Sequence, residues 1–399
     1  MKKSRLLLFV LLTLLLTVAM ACSLLDLLTP PPTPAPTEEI ETPVIEPTEP
    51  EPEPEPTPTD EPGPPLEPTE IPPQRGQIAY ASDGNIWRYL LDSGEMIQLT
   101  FDGVADSYED AYSQPLFSAD GLYISYMKNN VSYLHNLTDN SVVSLPVMIF
   151  QWSRTQPATF YAAQGSFTCP AVENLEDQEL ISFDLLRYDA DDMVTPPAMA
   201  TIGGGLKFPQ AISDDEQYAS IMYCACYSEC GSYVIWHLPT ATAMSSPADV
   251  YAGNVDFSPD STRLATSQWQ MYGYFESPLY IANSDFSGAV ALYNEPNVAV
   301  IDPLWSPDGG WIAFTAYDIA EEFELSDKRV LIINLDGSVQ LEIADSNAEL
   351  VNWSPDGSQI LFRRGDWSSG TPYIYDLLSG TTAMLPFTAT WQMDWSVLP

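Results

Sequence analysis

From Gly76 onward apolar and polar residues alternate in short runs, and five of these runs end in a Ser-x-Asp turn. They are Phe117-Ser-Ala-Asp-Gly121, Ile212-Ser-Asp-Asp-Glu216, Phe257-Ser-Pro-Asp-Ser261, Trp305-Ser-Pro-Asp-Gly309 and Trp353-Ser-Pro-Asp-Gly357. Each turn leads into a second alternating run, such as Trp311-Ile-Ala-Phe314 or Gln359-Ile-Leu-Phe362, and then a third, such as Val330-Leu-Ile-Ile-Asn334. A period of two residues per face predicts strands, and the turn chemistry predicts tight hairpins between them. Serine and aspartate bond nearby amides, proline presets φ and glycine accepts positive φ, so the acids at Asp120, Asp260, Asp308 and Asp356 read as structural. The only helical expectation is a short turn around Ala320 to Leu325.

Units of this kind at 40 to 50 residues read as blades of an all-β propeller. Counted by the turn serine or its equivalent, the copies lie at Ser118, Ser153, Ser213, Ser258, Ser306, Ser354 and Ser396, separated by 35, 60, 45, 48, 48 and 42 residues. The last motif, within Trp391 to Val397, has no strands after it. The region's opening runs, at Gln77-Ile-Ala-Tyr-Ala81, Asn85 to Leu90 and Met96 to Leu99, have no inner strand before them. A C-terminal strand completing the first blade would close the ring and remove two sheet edges that otherwise invite pairing with other chains. The count is seven, with six or eight as the neighbouring readings because the motifs at Ser153 and Ser396 are weak and the 60-residue gap leaves room for an insertion.

Ahead of this region lie two segments of different composition. Residues 1–21 read as an export signal, with Lys2, Lys3 and Arg5 before the apolar Leu6 to Val18; the stretch is short for a membrane span and no basic cluster follows it. From Thr29 to Gln74, 18 prolines and 12 carboxylates fall within 46 residues that hold no lysine or arginine. Such a sequence excludes helix and sheet pairing and predicts a disordered polyproline-like spacer, reaching on the order of 140 Å at its longest. The proline repeats also suit a proline-recognition module, but a spacer is the simpler reading in an exported chain. The expected layout is a signal at 1–21, Cys22 with its linker at 22–75, and the propeller at 76–399.

Cysteine and charge narrow the environment. Besides Cys22 there are Cys169, Cys224, Cys226 and Cys230, an even number that predicts two disulfides in an exported domain. Of three pairings, Cys226 with Cys230 and Cys169 with Cys224 is preferred, because Cys224 and Cys226 share a face if that segment is a strand. A four-cysteine zinc site fits less well, since paired Cys-x₂-Cys knuckles are missing. The chain carries a net charge of −41, and from Gly76 on it holds 42 acids against 10 lysines and arginines, about −32. Nucleic acid is a poor partner for such a surface. The acidic runs at Asp106 to Asp110 and Asp189 to Asp192 contain oxygen ligands suited to calcium, but without EF-hand spacing they read as solvated loops, and no cofactor is expected.

Two resemblances follow from these residues. Ala19-Met20-Ala21-Cys22 resembles the lipobox of bacterial lipoproteins, with Ala19 where a leucine is usual; the resemblance implies cleavage before Cys22 and its acylation, hence a lipid anchor on the outer face of a membrane or in the envelope. The Ser-Pro-Asp-Gly turns, the Ile-Ala-Phe strand and the opening Ser82-Asp-Gly-Asn-Ile-Trp87 through Asp92-Ser-Gly94 to Gln98-Leu-Thr100 resemble the WD40-like, TolB-type (PD40) propeller repeat. That likeness covers most of 76–399 and is weakest between 147 and 250. TolB itself is similar to six blades behind a small α/β domain, whereas here a proline-rich spacer precedes seven, so TolB's role in envelope translocation is not carried over.

Catalytic motifs are not apparent. His135 and His237 are the only histidines and lie in separate strands, and neither a Gly-x-Ser-x-Gly elbow nor a His-Glu-x-x-His helix occurs. Peptidases of the prolyl type resemble this repeat but carry their hydrolase domain after the propeller, and here the chain ends with the closing strand. The expected function is therefore a lipid-anchored binding module for protein or glycan. The alternatives are a propeller hydrolase acting on carbohydrate or lactone, with carboxylates at the channel, and a structural component of the envelope. Trp269, Tyr272, Tyr274 and Phe275 are the candidate rim aromatics for binding.

Overall fold

A computed structural model of the chain describes residues 76–398 except 106, 108, 166–181, 204–205, 225–229, 245–251, 269–275, 320–324, 339, 345 and 367–368, with only the backbone described at 206, 224, 230–232, 252, 268 and 325–327. The described residues form 28 strands, no α-helix and one 3₁₀ turn at Leu238–Thr240. The strands make seven antiparallel blades. Blade 1 is assembled from both ends of the region: Met393–Ser396 is innermost, followed by Gln77–Ser82, Asn85–Leu90 and Glu95–Gln98. Its register pairs Gln77 with Ser396 and Tyr80 with Met393, as expected for a ring closed by its last strand. The inner strands of blades 2 to 7 are Ser113–Phe117, Met148–Trp152, Leu206–Ile212, Ala252–Phe257, Val298–Trp305 and Ala348–Trp353. Blades 4 and 5 are joined by one extra backbone pair, Tyr233 with Ala252.

The core is divided as a ring requires, because each flat blade must cover the face of the next. Seven apolar clusters occupy the seven gaps between neighbouring blades. The residue before each turn serine seals one gap: Phe117 between blades 1 and 2, Trp152 between 2 and 3, Ile212 between 3 and 4. Phe257, Trp305, Trp353 and Trp395 do the same for the remaining four. This explains the large apolar side chain that precedes every copy of the motif.

The turns are built by side chains. Ser306 Oγ donates to Asp308 Oδ1 at 2.6 Å and accepts the Trp311 N–H at 2.9 Å, while Asp308 Oδ1 also accepts the Gly310 N–H at 3.0 Å. The same bonds recur around Asp120, Asp260 and Asp356, so these acids lie in hairpins rather than in a ligand site. Gly357 sits at φ +72°, and a Cβ there would meet Pro307 of the preceding blade at 3.3 Å; glycine serves both the backbone and the close approach. Residues 320–324 of the expected helical turn lie outside the described residues, and Leu325 opens a strand.

Candidate functional site: the central channel

The inner strands surround a channel, and their unpaired edges turn N–H groups toward it. Each inner strand of blades 2 to 7 carries a register irregularity shortly before its turn, for example between Ile149 and Gln151 and between Leu350 and Asn352. Such bulges re-aim side chains. The position two residues before the turn serine is Asp394, Leu116, Gln151, Ala211, Asp256, Leu304 and Asn352 in blades 1 to 7. The residues of blades 1, 3 and 5 bond the next blade. Asp394 accepts the Phe117 N–H at 2.7 Å, Gln151 accepts the Ile212 N–H at 2.6 Å and donates to the Ile212 carbonyl at 3.0 Å, and Asp256 accepts the Trp305 N–H at 2.8 Å. In blades 2, 4 and 6 the position is apolar. An edge N–H deprived of bulk water needs an acceptor, and every second blade supplies one.

At the turn-side mouth, a cavity of about 550 Å³, two blades place a charge at the motif's proline position. Where Pro259, Pro307 and Pro355 follow the turn serine in blades 5 to 7, blades 3 and 4 carry Arg154 and Asp214. Arg154 spans three blades: it lies 3.4 Å from Asp214 and 3.2 Å from Asp256, and donates to the Phe257 carbonyl at 3.0 Å. Burial raises the pKa of Asp256 and Asp214, with Arg154 opposing both shifts. Burial also disfavours the Arg154 cation, but the two carboxylates outweigh it and its pKa rises. Nearby, burial pushes Asp394 up to about 6 against the pull of the Phe117 and Trp395 N–H groups and the Asn352 amide, which donates to it at 2.8 Å. Gly76 lies on this same side, against Ser396.

The opposite mouth has different chemistry. Its cavity, about 510 Å³, is walled by Met148, Phe150, Phe208, Met222 and Leu350, with Trp391 at its edge. Trp391 is 52% exposed although it is a large aromatic. It precedes the closing strand and is held by the backbone bond from Thr390 N to Ala81 O at 2.9 Å, while its neighbour Gln392 accepts the Gln114 N–H at 2.9 Å. Asp302 also lines this cavity, at φ +48° on the irregular segment of the blade 6 inner strand. One of its oxygens accepts the Asn254 amide, and Asn254 accepts the Tyr233 hydroxyl at 2.5 Å. Burial raises the Asp302 pKa, and Glu349 adds to the rise. Glu349 itself is engaged by Lys328 and by Arg363, whose side chain is 1% exposed.

The residues singled out from sequence are not brought together here. Trp269, Tyr272, Tyr274 and Phe275 lie outside the described residues, as do Cys22, Cys169 and Cys226. The backbone register sets Cys224 directly opposite Cys230 in the second and third strands of blade 4. His135 is buried in blade 2, its Nε2 2.7 Å from Asn140 Oδ1, and burial lowers its pKa; His237, in blade 4, bonds Thr240 at 2.8 Å. In the acidic runs, Asp191 accepts the Tyr123 hydroxyl at 2.6 Å and Asp110 accepts the Ser107 hydroxyl at 3.3 Å. Among the described residues no three His, Cys, Asp or Glu side chains are placed to share a metal ion, and no helix is long and apolar enough to cross a membrane. The channel residues were not singled out from sequence. Arg154 and Asp214 did leave a signal, as charges where the other copies carry proline, alanine or valine.

Known proteins share this fold. A prolyl endopeptidase aligns with 80% of this chain and 50% of its own, at 11% identity and a TM-score of 0.54. An acylaminoacyl peptidase of Pyrococcus horikoshii aligns with 79% and 51%, at 12% identity and a TM-score of 0.53. TolB from Acinetobacter baumannii aligns with 80% and 66%, at 12% identity and a TM-score of 0.47. This chain spans about half the length of the two peptidases, and at these identities the likeness is one of fold alone. No family model matches the chain, and no curated protein does.

Proposed function

We propose that this chain is an exported binding module, tethered to the outer face of a membrane through an acylated Cys22, whose ligand seat is the channel mouth opposite the Ser-x-Asp turns. The observation that carries the choice of mouth is Trp391, half-exposed beside a wall of methionine and aromatic side chains. Flexible thioethers and a rigid aromatic suit the side chains of a protein partner. The turn-side mouth is a weaker choice, because Arg154 is already paired there with Asp214 and Asp256. An acidic surface of this strength favours a basic partner.

The test is affinity capture from intact cells with the full chain and its Trp391→Ala variant, each on a Cys22→Ala background and with Cys22 present. A partner recovered by the parent and lost with Trp391→Ala supports the ligand seat. Release of the chain from the membrane by Cys22→Ala supports the anchor. Turnover of a sugar or lactone panel that vanishes in Asp394→Asn would replace the reading with a propeller hydrolase.

A further inference from the structure

The mouth opposite the turns contains one carboxylate, among apolar side chains and Gln114, Gln210 and Gln392. Asp302 opens onto the cavity formed by Met148, Phe150, Phe208, Met222 and Trp391. Among the described residues no lysine or arginine pairs with it; the nearby bases Lys328 and Arg363 are committed to Glu349. A half-buried carboxylate lacking a cation is less well compensated than a paired one, and a ligand that supplies a cation completes the pair. Its left-handed backbone, at φ +48°, is an uncommon conformation for a residue with a side chain and is set by the irregular inner strand. Asp302 serves the wall by accepting the Asn254 amide; what that bond leaves over is a second carboxylate oxygen with no donor among the described residues.

We propose that this seat receives the side chain of a lysine from a basic protein partner, its aliphatic stem against the methionines and aromatics and its ammonium on the free oxygen of Asp302. This rests on the ligand seat argued above and names the chemistry that enters it. Asn254 donates to one Asp302 oxygen, and the other oxygen is the one with no protein donor among the described residues. A guanidinium pairs best with both oxygens of a carboxylate, whereas an ammonium is a point charge that needs one. The four-carbon stem of lysine covers apolar surface while its head seeks a polar partner. The excess of 42 acids over 10 bases from Gly76 on supplies the attraction that brings a basic surface to the mouth.

The experiment uses the full chain and a blocked pentapeptide, Ala-Ala-Lys-Ala-Ala, against the same peptide with Nε-acetyl-lysine, titrated by calorimetry and by tryptophan fluorescence. The lysine peptide is expected to bind at least about tenfold more tightly than its acetylated form, the equivalent of about 1.4 kcal/mol. Asp302→Asn, which suits the same backbone conformation, should abolish that preference, and Trp391→Ala should weaken both peptides. Equal binding of the two peptides, binding of neither, or an undiminished preference in Asp302→Asn overturns the proposal, and the peptide comparison on the parent chain needs no variant to fold. Binding of n-hexylammonium without binding of the lysine peptide overturns the protein source. If Trp391-dependent capture from cells survives while the peptide preference fails, the lysine inference falls and the ligand seat stands; if capture is indifferent to Trp391, the seat falls.

Discussion

Asp256 holds Trp305 of the next blade twice: its carboxylate accepts the Trp305 backbone N–H at 2.8 Å, and its backbone carbonyl accepts the indole N–H at 3.2 Å. The first bond belongs to the side chain and can be removed alone. Asp256→Ala also strips Arg154 of a carboxylate at 3.2 Å, leaving a cation and an edge N–H in the channel without their acceptor. Arg154 is 36% exposed in this pair, so water screens its loss, and the change should cost about 1 to 2 kcal/mol in reversible denaturant unfolding, mostly from the unpaired edge N–H. Asp256→Asn should cost less than half of that, because an amide oxygen still accepts from Trp305.

Acid and neutral solution should act on different carboxylates. For Asp394, burial raises the folded pKa to about 6, above the ordinary unfolded value, so the native state holds the proton more tightly. Its contribution is therefore fully present below the unfolded pKa and is lost as pH rises to about 6. Asp214, Asp256 and Asp302 shift in the same direction. The turn acids Asp260, Asp308 and Asp356 are lowered, so their contribution is present above the unfolded pKa and is lost as pH falls below it. Asp394→Asn should flatten the stability profile between about pH 4 and pH 6 by roughly 3 kcal/mol and leave the steeper loss at lower pH. Chemical unfolding of both chains across that range reads this directly.

Glu349 is the shared partner of Lys328 and Arg363. Glu349→Gln would leave the Arg363 guanidinium, 1% exposed, without a counter-charge. We expect a loss of about 3 to 5 kcal/mol, measured by urea unfolding. Replacing Lys328 by methionine should cost much less, since its side chain is 18% exposed and Arg363 still neutralises Glu349.

Removal of 393–399 deletes the innermost strand of blade 1 and uncovers the edge of Gln77–Ser82 together with the apolar gap that Trp395 fills. The truncated chain should associate through the free edge, eluting as aggregate in size-exclusion chromatography and losing its cooperative melt. A synthetic peptide of 390–399 added during refolding should restore part of the monomer.

The blades were readable because every copy needs the same local parts. Ser118, Ser153, Ser213, Ser258, Ser306, Ser354 and Ser396 each follow an inner strand, and even the weak Trp395-Ser396 motif marks the closing strand. The gap between Ser153 and Ser213 is longer because residues 166–181 intervene between two strands of blade 3. The channel was harder to read. Leu116, Gln151 and Asp256 occupy equivalent places, yet their contacts are to residues 49 to 61 positions away wherever a side chain reaches the next blade. Nothing local constrains what stands there, so sequence gives no pattern until the blades are set side by side. Asp302 and Trp391 were hidden for a related reason: one sits on an irregular strand segment and the other on a connection, where the two-residue period no longer assigns a face.

The polar and apolar alternation around the channel meets a problem of parity. Seven is odd, so two like positions must become neighbours somewhere, and here two polar ones do so where blade 7 meets blade 1. There Asn352 bonds Asp394 at 2.8 Å and turns its own carbonyl oxygen back to the Trp353 N–H at 2.9 Å. That contact is the one place in the ring where the rule changes, and it coincides with the join between the two ends of the domain. The ring thus carries a built-in phase mark: only where blade 7 meets the closing strand does an acid at this position have an amide for its neighbour.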